Sequence, residues 1–131
     1  MRRHARELAL QILFQIEFAP QIEYSNFLEL FEENFDQEIL NYAETLISGV
    51  NTHKTEIDNL IQVSSQNWKI GRMAIVDRNL IRISIFEMKF MSPPLKPNIA
   101  INEAVSIAKK YGSTDSGSFV NGILDQISKG L

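Results

Sequence analysis

Apolar residues recur at spacings of three and four along almost the whole chain, and no stretch alternates for long enough to read as a strand. Between Arg3 and Phe18, the residues Ala5, Leu8, Ala9, Ile12 and Ile16 form one stripe, which predicts an amphipathic helix closed by Pro20. Ser25 is placed to cap a second helix carrying Phe27, Leu28, Leu30 and Phe31. Asp36 would cap a third, with Ile39, Leu40, Ala43, Leu46, Ile47 and Val50 inside, and Thr52 a fourth, running through Ile57, Leu60 and Ile61. The short connections between these segments imply helices packed as neighbours.

The most apolar stretch runs from about Ile70 to Met91, with Met73, Val76, Leu80, Ile81, Ile83, Phe86 and Met88 spread round most of a helix. Such a helix belongs at the centre of a fold. Its cations Arg78, Arg82 and Lys89, four and seven residues apart, share one ridge. Pro93, Pro94 and Pro97 then predict a rigid, non-helical connector over residues 92–98. A sixth helix is expected from Asn102 to Gly112, which acts as its stop. A last helix, capped by one of Ser113, Thr114, Asp115 or Ser116, buries Val120, Leu124 and Ile127. The pattern is all-α, with about seven helices in a single domain spanning residues 1–131 and no internal repeat.

Composition narrows the function. The chain has no cysteine, which excludes disulfides, thiolate metal sites and cysteine nucleophiles. The basic start is followed by a polar-interrupted helical pattern instead of a signal-peptide core, and no apolar run reaches membrane-spanning length, so the chain reads as cytoplasmic. His4 and His53 lie in unrelated segments without partners at metal-ligand spacing, and no Gly-rich phosphate loop, GxSxG or HExxH is present. The expectation is a protein that is not an enzyme and needs no cofactor. The net charge of −3 hides a segregation: ten of the sixteen acids lie between Glu17 and Asp58, where Lys54 is the sole lysine or arginine, so the remainder is net basic. A solvated acidic face is the ordinary reading of such a segment.

Three groups of residues bear on binding. Arg2, Arg3 and Arg6 stand at a helix start, where each cation is unfavourable by about 0.3–1 kcal/mol, so an external polyanion would explain them as one patch. A solvated, unstructured start explains them as well. Leu10 and Phe14 lie off the main stripe, near the bearing of Arg3 and Glu7, where an aromatic ring can stack on an unpaired base; packing against a second helix is the commoner use. The segment from Gly112 to Gly122 collects free helix N–H groups, hydroxyls and Phe119 at the edge of the last buried stripe, and a capped helix with a core phenylalanine is its ordinary reading.

Those same segments resemble the NusB family. The resemblance is carried by Arg2-Arg3-His4-Ala5-Arg6-Glu7-Leu8, by Asp77-Arg78-Asn79-Leu80-Ile81-Arg82-Ile83, by Ile101-Asn102-Glu103-Ala104-Val105 through Ala108-Lys109, and by Phe119-Val120-Asn121-Gly122-Ile123-Leu124-Asp125. It implies two packed helical bundles, here divided near Gln66 into about 1–66 and 67–131. It also implies transcription antitermination: binding of boxA RNA in nascent, notably ribosomal, transcripts together with the ribosomal protein NusE, and entry into the RNA polymerase elongation complex with other Nus factors. By matching position, Arg2, Arg3 and Arg6 would hold RNA phosphates, Phe14 and Phe119 would contact bases, and Asp115 and Ser116 would shape the RNA-binding loop. Asp77, with Arg78 and Arg82, would face the protein partner. Phe14 stands where the family often has tyrosine, which keeps stacking without the hydroxyl. Gly117 and Ser118 stand where relatives can carry His or Lys, so a weaker hold on RNA alone and a larger part for NusE are expected. The family includes monomers and dimers, so a homodimer that buries the arginine-rich helix is open. Two rivals follow. One is the helical domain of an RNA cytosine methyltransferase, whose cysteine chemistry this chain lacks. The other is a helical adaptor that binds protein through the acidic segment with no RNA role.

Overall fold

The computed structural model describes residues 2–131, and the described residues hold seven α-helices. These are α1 (Arg2–Phe18), α2 (Tyr24–Glu29), α3 (Gln37–Thr52), α4 (Lys54–Ser64), α5 (Ile75–Ile85), α6 (Pro97–Tyr111) and α7 (Ser116–Ser128). A 3₁₀ turn at Ile70–Arg72 precedes α5, and a π-helical turn at Phe86–Phe90 continues it. The first helices pack as one group, chiefly α1 on α3, and α6 packs on α7 as another. Helix α5 lies between them and touches α1, α3, α4, α6 and α7. Its all-round apolar pattern has that cause, since every residue from Asn79 to Ile85 is buried.

Ion pairs fasten α1 and α4, both of the first group, to α5. Arg78 donates to Glu17 at 2.8 and 2.6 Å through Nε and Nη2, and Asn79 Nδ2 donates to the same carboxylate at 2.9 Å. Arg82 grips Asp58 of α4 at 2.8 and 3.1 Å. Thus Arg78 and Arg82 of the expected ridge are turned inward onto α1 and α4, while Lys89, in the π-helical turn, is exposed. No described helix is long and apolar enough to cross a membrane.

Several boundaries differ from the sequence reading for local reasons. Helix α6 starts at Pro97, five residues before the expected Asn102, because proline at the first helical position has no N–H to lose. The expected Ile70–Met91 helix is broken at its start: the 3₁₀ turn and extended Met73 and Ala74 precede Ile75. Helix α2 begins before Ser25 and ends at Glu29, which leaves Leu30 exposed instead of packed. Thr52 is the last residue of α3, not a cap, and His53 joins α3 to α4 with its ring stacked 4.1 Å from that of Phe90. Asp36 and Asp115 hold the N-cap positions of α3 and α7 without a side-chain capping bond.

Candidate nucleic-acid interface

The three arginines of the opening turn do not form a single exposed patch. Arg2 is exposed, with its guanidinium carbon 4.6 Å from the centroid of the Tyr42 ring on α3, a cation–π distance. Arg3 is exposed and lays the Nε/Nη2 edge of its fork on Glu103 of α6 at 3.0 and 2.8 Å. Arg6 is only 5% exposed. Its fork donates to Glu87 at 2.9, 3.1 and 2.8 Å, and its Nη1 reaches Glu103 at 3.3 Å. The Tyr42 phenol donates to the same Glu87, and burial together with that bond pushes its pKa up to about 12. Arg6 therefore neutralises a buried carboxylate and braces α1 against the end of α5, which corrects its expected place in a solvent-facing patch.

Next to Arg3, one turn along α1, lies a largely apolar cleft of about 350 Å³. Leu10 and Phe14 form its floor with Phe35 and Val76, while His4, Glu7, Gln11 and Tyr111 stand round it. The Tyr111 hydroxyl donates to Glu7 at 3.2 Å, and Lys110 Nζ reaches the same carboxylate at 3.2 Å. Phe14 is half-buried here, with its ring centroid 5.2 Å from that of the exposed Phe18. A second cleft, about 210 Å³, lies at the start of α7. Phe119, Asp115 and Ser113 form one wall, and Trp68, Arg72, Met73, Ala74 and Asp77 form the other. The two clefts flank the same features, since Val76 and Asp77 are consecutive on α5 and Tyr111 and Ser113 bracket the turn from α6 to α7.

That turn is built by close approach. Ser116 is buried, and its Oγ accepts the Ser113 N–H at 2.9 Å. Gly112 packs directly against Ser116 Oγ, and a Cβ on Gly112 would collide with it. Ser116 thus shapes the loop from within, whereas Asp115 is exposed on the rim and Phe119 is half-buried in the cleft wall. At Gly117 the aliphatic stem of Lys109 lies close, 3.1 and 3.2 Å from where a Cβ would stand.

Asp77 is 6% exposed and lines the second cleft, and its Oδ1 is the one buried side-chain polar atom among the described residues without a hydrogen-bond partner. A buried carboxylate oxygen left open is costly unless a donor arrives from outside. Arg78 and Arg82, expected beside it at a partner surface, are instead occupied by Glu17 and Asp58. Sequence reading passed over Tyr111 and Trp68. Their signals were slight: an aromatic after Lys109-Lys110, and the lone tryptophan in a helix-free stretch.

Seven packed helices make this an all-α protein, and its exposed arginines and two aromatic-lined clefts have the chemistry to take a charged, planar ligand. Comparison with known proteins narrows this. The model of the NusB family matches residues 3–129, and the chain belongs to that family. It is 61% identical over 128 residues to the transcription antitermination protein NusB of Bdellovibrio bacteriovorus, covering 98% of this chain and 95% of that one. The fold is similar to that of T. maritima NusB, with a TM-score of 0.90 at 36% identity, over 98% of this chain and 91% of the other. It is also similar to a chain in a crystal structure of the antitermination factors NusB and NusE in complex with double-stranded RNA, with a TM-score of 0.86 at 28% identity, over 99% and 97% of the two chains.

Proposed function

We propose that this protein is a transcription antitermination factor that binds boxA RNA of nascent transcripts together with NusE and joins the RNA polymerase elongation complex with other Nus factors, in the cytoplasm and without catalysing a reaction. Membership of the NusB family and the likeness to a chain solved with NusE and RNA support the reading. The observation that carries it for this chain is the cleft at the start of α7. Phe119 offers a ring face, and Asp77 offers a buried acceptor with no donor, so an unpaired base can stack and give an N–H at once. Arg2 and Arg3 then hold backbone phosphates, and Phe14 with Tyr111 lines a second place for a base. Asp115 sits on the rim of the cleft at the start of α7, Ser116 sets its shape, and Arg6 positions the helix that carries Arg2 and Arg3. NusE is assigned to the adjoining surface near Asp77, where Trp68, which lines the same cleft, is 56% exposed.

A fluorescence titration with a boxA-like RNA and a scrambled control, with and without NusE, tests this. Selective binding that NusE strengthens and Phe119→Ala weakens by about fivefold or more is expected, since stacking on an aromatic contributes about 1–3 kcal/mol per base. Absence of selective binding in every condition would overturn the reading and move the function to a protein adaptor.

A further inference from the structure

An arginine fork that is to receive phosphate already holds a carboxylate. Arg3 presents Nε and Nη2 to both oxygens of Glu103, the same paired geometry by which guanidinium grips a phosphate. We propose that Glu103 is a built-in competitor for the RNA phosphate at Arg3, and that it sets the affinity and salt dependence of the arginine-bearing end of α1. This rests on the RNA-binding reading above and adds to it a residue that RNA must displace.

Three observations separate this role from simple bracing. Arg6 does not need Glu103, because both oxygens of Glu87 already take its Nε and Nη2, and Glu103 adds only the longer contact of 3.3 Å. The Arg3–Glu103 pair is accessible, with side-chain exposures of 48% and 24%, so partners can exchange there without opening the core. An exposed pair of this kind contributes little to stability, and a polyanion can outbid it. Charge completes the case. Glu87 and Glu103 offset two of the three guanidiniums of the opening turn, while Arg2 makes no ion pair among the described residues and rests on the Tyr42 ring. Arg3 in turn holds the Glu103 carboxyl below the usual carboxylate range, so the competitor stays ionised at neutral pH.

The test is a double-mutant cycle on binding of a fluorescent single-stranded boxA-like RNA over a series of salt concentrations, using the wild type, Glu103→Gln, Arg3→Ala and the double variant. Circular dichroism and thermal unfolding confirm that each is folded. Glu103→Gln is expected to bind several-fold more tightly at low salt, with the slope of log K against log salt steeper by about 0.7 for one more phosphate engaged on a single strand. In the Arg3→Ala background the same substitution should change nothing, because no fork is released. A gain that persists without Arg3 would show a long-range charge effect and overturn the proposal. Equal or weaker binding by Glu103→Gln, with Arg3→Ala still impaired, would make Glu103 a positioning residue and overturn the proposal while leaving the RNA reading intact. Equal and selective binding by all four proteins would overturn the proposal alone, and no selective binding by any of them would overturn the RNA reading as well.

Discussion

Arg6 and Arg3 are three residues apart on one helix, yet they stand in different surroundings, and the difference comes from residues far away in the chain. Glu87, 1% exposed, comes from the π-helical turn that follows α5, and Tyr42 from α3. Removing the Arg6 side chain leaves that carboxylate buried and uncompensated, so Arg6→Ala is expected to lower stability by about 3–5 kcal/mol. Urea unfolding measures it. Arg2→Ala, which removes an exposed cation with no ion pair, should stay within about 0.5 kcal/mol of the wild type in the same experiment while weakening RNA binding. Periodicity was enough to place Arg2, Arg3, Phe14 and Phe119 at the edges of their helices, because those positions depend only on local geometry. It could not assign Arg6, Arg78 and Arg82 to their carboxylates, since those partners lie 81, 61 and 24 residues away and spacing within a helix says nothing of what packs on it. Tyr111 and Trp68 escaped for a similar reason: each gains meaning only when another helix supplies the opposite wall of its cleft.

At the level of elements, the helices legible in the sequence were those with a full apolar stripe, and the errors gathered at their ends. Pro97 was read as a breaker although the first turn of a helix tolerates it, and Ile70 to Ala74 were read as helix because Ile70, Met73 and Val76 keep a helical spacing, although Gly71, Arg72 and Ala74 are exposed. Close helix contacts were equally hidden. Gly49 of α3 lies under the Phe86 ring at the start of the π-helical turn, and a Cβ there would run into it. Gly49→Ala should therefore destabilise the protein by about 1–3 kcal/mol through overpacking, despite the higher helix propensity of alanine, and thermal unfolding would register it. The inter-helix ion pairs give a pH dependence. Hydrogen bonds from Arg78 and Asn79 lower the Glu17 pKa from 4.5 to about 2. A carboxylate with a depressed folded value adds stability that is complete above the unfolded value and is lost as pH falls towards the folded one. The stability gap between wild type and Glu17→Gln should accordingly be constant above about pH 5 and shrink between about pH 4.5 and 2. A gap that does not change with pH would mean that the Arg78–Glu17 bond contributes no net stability.

For the whole molecule the central question is whether two helical groups make one cooperative unit. The sequence suggests a division near Gln66, and Trp68 and Lys69 do run outside any helix between α4 and α5. The buried apolar residues of all seven helices nevertheless form a single cluster, and α5 contributes to both groups at once. Glu17–Arg78, Asp58–Arg82 and Arg6–Glu87 each cross from the first group to α5 or its π-helical extension, so separating the groups would strand several charges as well as expose α5. That combination predicts a single two-state transition in urea. Trp68 is the lone tryptophan, its carbonyl accepts from Gln62 of α4 and its side chain lines the cleft with Phe119 of α7, so its fluorescence reports their separation while far-UV circular dichroism reports helix content. The two curves should share one midpoint. If fluorescence changed at lower urea than helix content, the bundles would part before they melt, and the arginines of α1 would be able to move relative to the cleft at α7. Coincident curves would mean that the spacing between Arg3 and Phe119 is fixed by the core itself, so that RNA meets a surface already arranged before NusE arrives.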